Sequence, residues 1–175
     1  MIVIRNFEYN DLSKFWEMAF SDPHAEWTQW NWPYFHDTLP TRLAFLGEEN
    51  VVRYVNQNLR QAIVVDGEIV GVVSAHFEDG DLHQWLEVGI VIYQQNLWGR
   101  HIGSKALKMW LDILFQMFPS LPHIGFTTWS GNQRMMTVGN KVGMKLEGRI
   151  RKVRFWQNQY YDSIKYGILR DEFTH

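Results

Sequence analysis

The sequence contains no cysteine among its 175 residues. This absence excludes a disulfide framework, a thiolate zinc site and a cysteine nucleophile. An excess of charge of either sign is missing too, because 17 lysines and arginines stand against 19 acidic residues and the net charge is −2. Such a balance gives no overall attraction to nucleic acid or to an anionic membrane, although a small anionic ligand remains compatible with it.

Long uncharged apolar runs are also lacking. No run of about 18 residues is free of charge, so no transmembrane helix is expected. The opening MIVIRNFEY has no charged leader followed by an apolar signal segment, and the expected location is therefore the cytoplasm. Hydrophobic residues nevertheless make up 46% of the chain, enough to bury one sizeable core, and we expect a single domain over residues 1–175.

The first half of the chain has the pattern of a strand, a helix and then an antiparallel meander. Ile2 to Ile4 predicts a short strand, and Asn10 or Asp11 can cap the helix that follows. The stretch QAIVVDGEIVGVVSAHF places two β-branched runs around Asp-Gly, which is the strongest short signal for a hairpin. A second turn, EDGD, leads to a third strand at about residues 83–93. Three consecutive antiparallel strands are predicted.

The second half alternates helices and strands. Apolar residues recur at helical spacing after residue 101 and predict a long, mostly buried helix: Ile102, Ala106, Met109, Trp110, Ile113, Leu114 and Met117. A strand at about 123–128 follows through a short connection, which favours parallel pairing. Ser130 or Asn132 can cap another helix that stops at Gly143, and a hairpin around residues 157–159 closes the chain.

The segment from Ser21 to about Asn50 is irregular and rich in rings. These rings either pack the edge of the domain or form the wall of a pocket, and the pattern leaves both interpretations open. The residues concerned are Trp27, Trp30, Trp32, Tyr34 and Phe35, which stand among Pro23, Pro33 and Pro40.

The loop QNLWGRHIGSKAL joins the third strand of the meander to the long helix. A helix N-terminus has unpaired backbone N–H groups and a positive dipole end, and glycines there let a phosphate approach. Gly99 and Gly103 would supply the room, the amides from about Arg100 to Ser104 the donors, and Arg100 and Lys105 the charge. The loop is neither a P-loop nor a GxGxxG motif. The alternative is that the two glycines only shape a turn.

Several stretches in the same order resemble one family. The strand and loop IVIYQQNLWGRHIGSKAL, the opening IRNFEYNDLSKFW, the helix NQRMMTVGNKVGMKLEG and the ending GRIRKVRFWQNQYYDSIKYGILRDEF are similar to the GNAT superfamily of acetyl-CoA-dependent N-acetyltransferases. The similarity points to the branch with ribosomal-protein N-terminal and spermidine acetyltransferases. It implies an α+β fold with a mixed, mostly antiparallel sheet, in which the fourth and fifth strands (β4-β5) pair in parallel, and with flanking helices. It also implies acetyl-CoA as co-substrate.

The resemblance also assigns contacts to the cofactor. The backbone of Ile90, Val91 and Ile92 would pair with the pantetheine arm like an added strand, and Asn132 would lie near the pantetheine or the adenosine. Lys141 would either meet a phosphate or be solvated. The pyrophosphate would lie in the loop formed by Gly99, Arg100, His101, Ile102, Gly103 and Ser104. No metal is expected.

Four positions depart from the family pattern. His101 replaces a central glycine of the loop, and Trp98 stands where many members have Gln or Arg. If residue 101 has helical angles its N–H remains available, whereas a positive φ there would distort the cradle. Gly139 stands where many members have the tyrosine that protonates the departing thiolate, and Met135 stands where the ribosomal-protein branch tends to have serine.

The chemistry implied by the family is direct attack of an amine on the acetyl thioester. A primary amine with an ordinary pKa of about 10.4 is mostly protonated at neutral pH, so a base is required. Glu87 is the candidate, because it is expected to share a strand face with Trp85 and Val91. A carboxylate buried among apolar groups would have a raised pKa, which suits a general base. It is alternatively an exposed strand carboxylate. His76 and His83 are further candidates, and for the leaving thiolate Tyr161 or a water near Asn132 would serve.

The acceptor remains open between a protein N-terminus, a polyamine, an aminoglycoside and an amino acid. Acidic residues near the aromatic segment lean slightly toward a cationic acceptor: Glu26, Asp37, Glu48 and Glu49. One rival hypothesis is a CoA-binding sensor or partner domain that lacks transfer. A second is nucleic-acid binding by the last hairpin through its basic cluster, although a solvated hairpin or the edge of a homodimer is favoured there. That cluster consists of Arg149, Arg151, Lys152 and Arg154 with Phe155 and Trp156.

Overall fold

The fold is built on one seven-stranded sheet, seen in a computed structural model that describes residues 1–173. The last two residues of the predicted domain lie outside the described residues. The strand order is β1-β2-β3-β4-β5-β7-β6, and every neighbouring pair is antiparallel except β4 with β5. The strands are β1 Ile2–Asn6, β2 Arg60–Val65, β3 Glu68–Phe77, β4 Leu86–Ile92, β5 His123–Trp129, β6 Lys145–Trp156 and β7 Gln159–Leu169.

The helices lie between these strands as α1 Asp11–Phe20, α2 Arg42–Phe45, α3 Glu48–Val51, α4 Ile102–Met117 and α5 Gln133–Lys141. Their order and the parallel β4–β5 pair confirm the predicted α+β fold. Across the described part of the chain, none of the helices has both the length and the apolar character that a membrane span requires.

Both predicted hairpins form through two-residue turns in the left-handed region. Asp66 and Gly67 have φ of 51° and 90°, and Gln157 and Asn158 have φ of 49° and 59°. Turns with two positive φ values match the right-handed twist of the flanking strands. Gly143, with φ of 88°, follows α5 as the predicted C-terminal stop.

The sheet has a hydrophobic core on each face. Helix α4 covers one face, where Trp110 is fully buried and donates its indole N–H to the carbonyl of Ser74 at 3.0 Å. Helix α1 covers the other face, where Phe7 and Phe15 pack edge to face at 4.9 Å between ring centroids. Both faces of the central strands are therefore apolar.

Strands β4 and β5 separate soon after they meet. They pair only at Leu86 with Ile124 and at Glu87 with Gly125, and beyond these two pairs each strand keeps only its outer neighbour. Strand β4 stays paired with β3 as far as Ile92, and β5 stays paired with β7 as far as Trp129. A wedge-shaped gap therefore opens in the sheet, and unpaired backbone groups line its two sides.

The segment predicted to be irregular as far as about Asn50 is irregular only over residues 21–41, because α2 and α3 form in its last part. Residues 21–41, called the aromatic segment from here on, contain no strand and reach across to the far half of the sheet. The carbonyl oxygen of Trp30 accepts two hydrogen bonds. One comes from the indole N–H of Trp129 at 2.9 Å and the other from the side-chain NH₂ of Asn132 at 3.2 Å. The guanidinium of Arg154 lies 5.0 Å from the ring centroid of Tyr34 and 5.5 Å from that of Phe35. The segment is thereby attached to β5, the start of α5 and β6.

Helix α5 packs closely on the sheet at Gly139. A Cβ atom there would lie 2.8 Å from two ring atoms of Phe126, whose ring stacks on Tyr166 with 5.2 Å between centroids. A tyrosine at position 139 would therefore require this stack to move. The departure from the family pattern has a packing reason.

An ion pair between Arg5 and Asp11 predicts a component of stability that is lost in acid. Two hydrogen bonds of 2.6 and 3.0 Å join the guanidinium to the carboxylate, and they hold the pKa of Asp11 below its ordinary value. A carboxyl group whose pKa is lower in the folded state stabilises the fold at pH values above its unfolded pKa of about 3.9. This stabilisation disappears as the pH falls through the folded pKa. We expect Asp11→Asn to cost about 1 kcal/mol at pH 7 and almost nothing near pH 2.

Urea unfolding between pH 7 and pH 2 measures this difference. The exposed Glu17, six residues away on the same helix, provides the matched control, because Glu17→Gln should follow the wild-type curve in parallel. A constant gap between wild type and Asp11→Asn across this pH range would contradict the prediction.

Candidate active site

A cleft of about 640 Å³ lies at the gap between β4 and β5. Its lining includes Ile90–Ile92 from β4, the first turns of α4 and α5, and Trp27, Trp30 and Asn31 from the aromatic segment. Helix α4 belongs to one face of the sheet, whereas Trp27 packs against Phe20 and Tyr93 on the other. The cleft therefore connects the two faces through the gap, and its volume suits a small molecule.

The start of α4 leaves its backbone amides uncapped toward this cleft. His101 is the N-cap residue and its side chain makes no capping hydrogen bond, while Ile102, Gly103 and Ser104 line the cleft. The first N–H groups of a helix have no partner within it and carry partial positive charge. These three amides can therefore bind an anionic group.

His101 adopts the positive φ that the sequence left as one of two cases. Its angles, φ 62° and ψ 10°, lie in the left-handed region, which glycine adopts freely and which is sterically unfavourable for residues with a Cβ atom. The three residues that follow, 102–104, nevertheless line the cleft. Gly99 is also left-handed, with φ of 78° and no atom within 4 Å of a built Cβ, so its backbone angle rather than space requires glycine.

Positive side chains surround the helix ends, but of the cations that the sequence indicated only Lys141 is among them. Arg100 and Lys105 do not line the cleft, whereas Arg134 and Lys141 do. The Arg134 guanidinium lies between two indole rings, 4.9 Å from the centroid of Trp30 and 4.4 Å from that of Trp98.

Sequence reasoning missed Arg134, although a signal was present. Arg134, Val138 and Lys141 recur at i, i+4 and i+7 and so share one face of α5. All three line the cleft. The His101 ring completes this side, with its Nδ1 3.5 Å from the Lys141 ammonium.

Asn132 lines the cleft and also holds structure together. Its side-chain oxygen accepts from the amide of Met135 at 3.0 Å, which caps α5 as predicted, and its NH₂ donates to the carbonyl of Trp30. Both polar groups of the side chain thus have protein partners. Asn132 fixes the position of α5 relative to the aromatic segment.

Glu87 lies at the last position of β4 that pairs with β5, where the gap begins. It is 4% exposed and accepts hydrogen bonds from the Thr127 hydroxyl at 2.8 and 2.9 Å and from the Lys165 ammonium at 3.2 Å. The expectation of apolar surroundings is therefore wrong, because a hydroxyl and an ammonium group contact the carboxylate. The Lys165 ammonium lies in turn 5.0 Å from the ring centroid of Trp85. The carboxylate is buried, oriented and charge-paired, and it is not among the residues that line the cleft.

The two histidines named beside Glu87 lie outside the cleft. The Nε2 atom of His76 lies 2.6 Å from a carboxylate oxygen of Glu78. One potential metal-ligating atom from each of His76, Glu78 and Glu87 lies within 4.8 Å of the other two. His83 has a left-handed backbone and its ring packs on Phe77. Neither histidine lines the cleft.

Tyr161 contacts residues that do not line the cleft. Its ring packs edge to face on Trp129, with 4.8 Å between centroids, and its hydroxyl donates to Gln159 at 3.4 Å. It does not line the cleft. The structure therefore provides no contact that would make it the acid for the leaving group.

The aromatic segment combines both interpretations offered by the sequence. Trp27 and Trp30 line the cleft, and Trp27 and Trp32 line a neighbouring cavity. Tyr34 instead packs on Trp129, with 5.6 Å between ring centroids. Some of the rings form pocket walls and others pack the edge of the sheet.

The structure thus combines a sheet that divides between β4 and β5 with the uncapped start of α4 beside the division. A sequence model described as the acetyltransferase (GNAT) domain matches residues 2–145, and the chain belongs to this family of acetyltransferases. The resemblance noted in the sequence is confirmed.

Individual relatives agree with this assignment. The chain is 34% identical over 70 residues to the SPbeta prophage-derived uncharacterized N-acetyltransferase YokL of Bacillus subtilis (strain 168), an alignment that spans 39% of this chain and 40% of that relative's length. An acetyltransferase (GNAT family) from Bacillus anthracis has a TM-score of 0.76 at 21% identity, with 98% of this chain and 96% of that chain covered. Spermidine N-acetyltransferase from Vibrio cholerae in complex with CoA and spermine has a TM-score of 0.73 at 18% identity, with the same coverage.

The left-handed backbone of His101 predicts the order of stability of two variants. Glycine is free of the steric cost that a Cβ atom brings at φ of 62°, whereas alanine keeps it. We expect His101→Gly to be more stable than His101→Ala by about 1 kcal/mol. Urea unfolding of both variants measures the difference, and an alanine variant at least as stable as the glycine variant would refute a left-handed conformation at this residue.

Proposed function

We propose that the protein transfers an acetyl group from acetyl-CoA to a primary amine by direct attack on the thioester. The observation that carries this proposal is the cleft at the β4–β5 gap, which joins the uncapped helix ends on one side to aromatic walls on the other. A donor with an anionic end can enter from the helix side, and an amine can approach from the aromatic side. Membership of the acetyltransferase family supports the reaction type.

The chain offers a separate group for each part of acetyl-CoA. The amides of residues 102–104, with Lys141 and His101 beside them, suit the pyrophosphate. The side of β4 at Ile90–Ile92 that faces the gap has no strand partner, so its backbone can pair with the amide groups of the pantetheine arm. The acetyl end would then lie near the point where the strands meet.

Glu87 is the group that would take the proton from the attacking amine. It lies at the apex of the gap, and Lys165 and Thr127 hold its carboxylate in one orientation. It would act directly or through a water molecule, since the ammonium form of the acceptor predominates at neutral pH. Orientation of the amine against the thioester lowers the barrier further.

None of the three positions considered for an acid provides one at the cleft. Gly139 carries no acid, Met135 lines the cleft without one, and Tyr161 lies elsewhere. The CoA thiolate can leave without one, because it is a tolerable leaving group. The same observation favours a second candidate function, a CoA-binding domain without transfer, which the measurements below separate from the first.

Binding of acetyl-CoA is tested by thermal unfolding of the whole chain. At about a hundred times the dissociation constant, binding should stabilise by about 2.7 kcal/mol and raise the melting temperature by roughly 5–10 °C. Lys141→Met removes a cation from the cleft and should weaken binding about fivefold, on the order of 1 kcal/mol. Lys105→Met removes an exposed lysine of α4 outside the cleft and should bind as wild type does. Equal affinities for the two variants would argue against a phosphate site at this end.

The role of Glu87 is tested by its amide variant. Glu87→Gln should lower kcat by roughly a hundredfold or more at neutral pH, because loss of a general base typically costs that much. Binding of acetyl-CoA should not change, and the rate should recover toward wild type at high pH, where the acceptor is already unprotonated. The matched control is Glu78→Gln, which removes a more exposed glutamate close by. Wild-type turnover in Glu87→Gln would remove this residue from the mechanism, and no turnover in wild type despite binding would favour the non-catalytic candidate.

A further inference from the structure

A second cavity of about 640 Å³ adjoins the cleft on the aromatic side. The two spaces share Trp27 and Asn31 in their walls, so a molecule in the second cavity can extend to the first. Its walls come from the end of α1, from the aromatic segment and from Trp156 at the end of β6. This is the side from which an acceptor would approach the gap.

The walls of this cavity combine indole rings with one carboxylate. Four tryptophans line it, together with Asp37, and neither lysine nor arginine is among the lining residues. The four are Trp16, Trp27, Trp32 and Trp156. The cleft, in contrast, is lined by Arg134 and Lys141. Aromatic faces and a carboxylate attract a cation, so the second cavity has the opposite electrostatic preference from the first.

The backbone that presents these rings is strained. Trp32 and His36 have φ of 53° and 55°, left-handed values that bulky residues rarely adopt, and they flank the turn Pro33–Phe35. Both residues line the cavity, and the rings of His36 and Trp156 meet at 5.4 Å between centroids. Strain of this kind persists where the surroundings impose it, and it clusters at ligand-binding sites.

Two of the rings are fixed and two retain an unused donor. The indole N–H of Trp16 donates to the carbonyl of Pro40 at 2.8 Å, and that of Trp27 donates to the carbonyl of Ala19 at 3.0 Å. Within residues 1–173, the indole N–H groups of Trp32 and Trp156 have no acceptor. Trp32 is also 41% exposed, which is unusual for a ring that serves only packing.

We propose that this cavity binds the acceptor and that the acceptor is a small organic dication before reaction. Its reacting primary amine lies at the gap, and its second nitrogen, which stays positively charged, lies among the indole rings near Asp37. This inference rests on the proposed function and specifies its substrate class. A single carboxylate matches a single additional charge. In the reaction the ammonium group of the acceptor first loses one proton through Glu87 to solvent. The neutral amine nitrogen then bonds to the acetyl carbon, the carbon–sulfur bond breaks and CoA leaves as the thiolate. A second proton passes from the nitrogen of the new amide to solvent, and the second nitrogen of the acceptor is unchanged.

The test compares two acceptors of the same shape that differ in charge. One is (2-aminoethyl)trimethylammonium and the other is 3,3-dimethylbutylamine, in which carbon replaces the quaternary nitrogen. With the full chain and acetyl-CoA, we expect kcat/KM to favour the cationic amine by at least about tenfold. The preference should fall to about two- or threefold in Asp37→Asn and in Trp32→Leu. It should persist in Glu49→Gln, which removes an exposed acid outside the cavity.

Binding without reaction gives an independent readout. Tetramethylammonium, which cannot be acetylated, should bind in calorimetry and inhibit competitively against the amine, while tert-butanol should do neither. Asp37→Asn should weaken tetramethylammonium binding about three- to tenfold and leave stabilisation by acetyl-CoA unchanged.

The outcomes separate the two proposals. Equal kcat/KM for the charged and neutral amines, or faster transfer to a peptide N-terminus, overturns the dication while the transferase proposal stands. Transfer to neither amine, with acetyl-CoA still stabilising the protein, also overturns the acceptor class. Failure of acetyl-CoA to stabilise the protein at all overturns the proposed function itself.

Discussion

The separation of β4 from β5 after two residue pairs is the constraint on which the candidate site depends. Each strand remains anchored by its outer neighbour, β4 by β3 and β5 by β7, so the gap is held open by hydrogen bonds on both sides. The β3–β4 contact is tight: a Cβ on Gly71 would lie 2.3 Å from the carbonyl oxygen of Val91. Because the gap is framed by regular sheet, its unpaired backbone is already positioned before any ligand binds, which reduces the entropy lost on binding.

Trp30 joins the two halves of the site. Its carbonyl accepts from Trp129 on β5 and from Asn132 at the start of α5, and its ring lies against the guanidinium of Arg134. The cationic rim of the cleft and the aromatic side therefore share one residue. An anionic cofactor and a cationic acceptor would enter from sides of opposite electrostatic preference, which keeps each from occupying the other's place.

Local signals predicted most of the fold, and contacts between distant parts of the chain explain what they missed. The Asp66-Gly67 turn, the α4 periodicity and the Asn132 cap each depend on residues within one turn or one helix, and all three are present in the structure. The surroundings of Glu87 could not be predicted in this way, because its partner Lys165 is 78 residues away. The φ of His101 depends on how the loop enters α4 and not on its residue type. The same holds for the tight contact of Gly139 with Phe126, which only the packing of α5 on the sheet creates.

Between positions 21 and 41 only Trp27 is buried, and it packs on Phe20 and Tyr93. The rest of this stretch is held by a few carbonyl and ring contacts, and its only regular structure is two short 3₁₀ turns. Mutations at its other positions should cost the sheet little, so an evolving lineage can change most of this wall and keep a folded protein. The helix ends that face the cleft have no such freedom, since α4 is part of the core. If the proposed function holds, divergence between relatives should therefore be fastest in the aromatic wall, where the acceptor would enter, and slowest at the helix ends, where acetyl-CoA would bind.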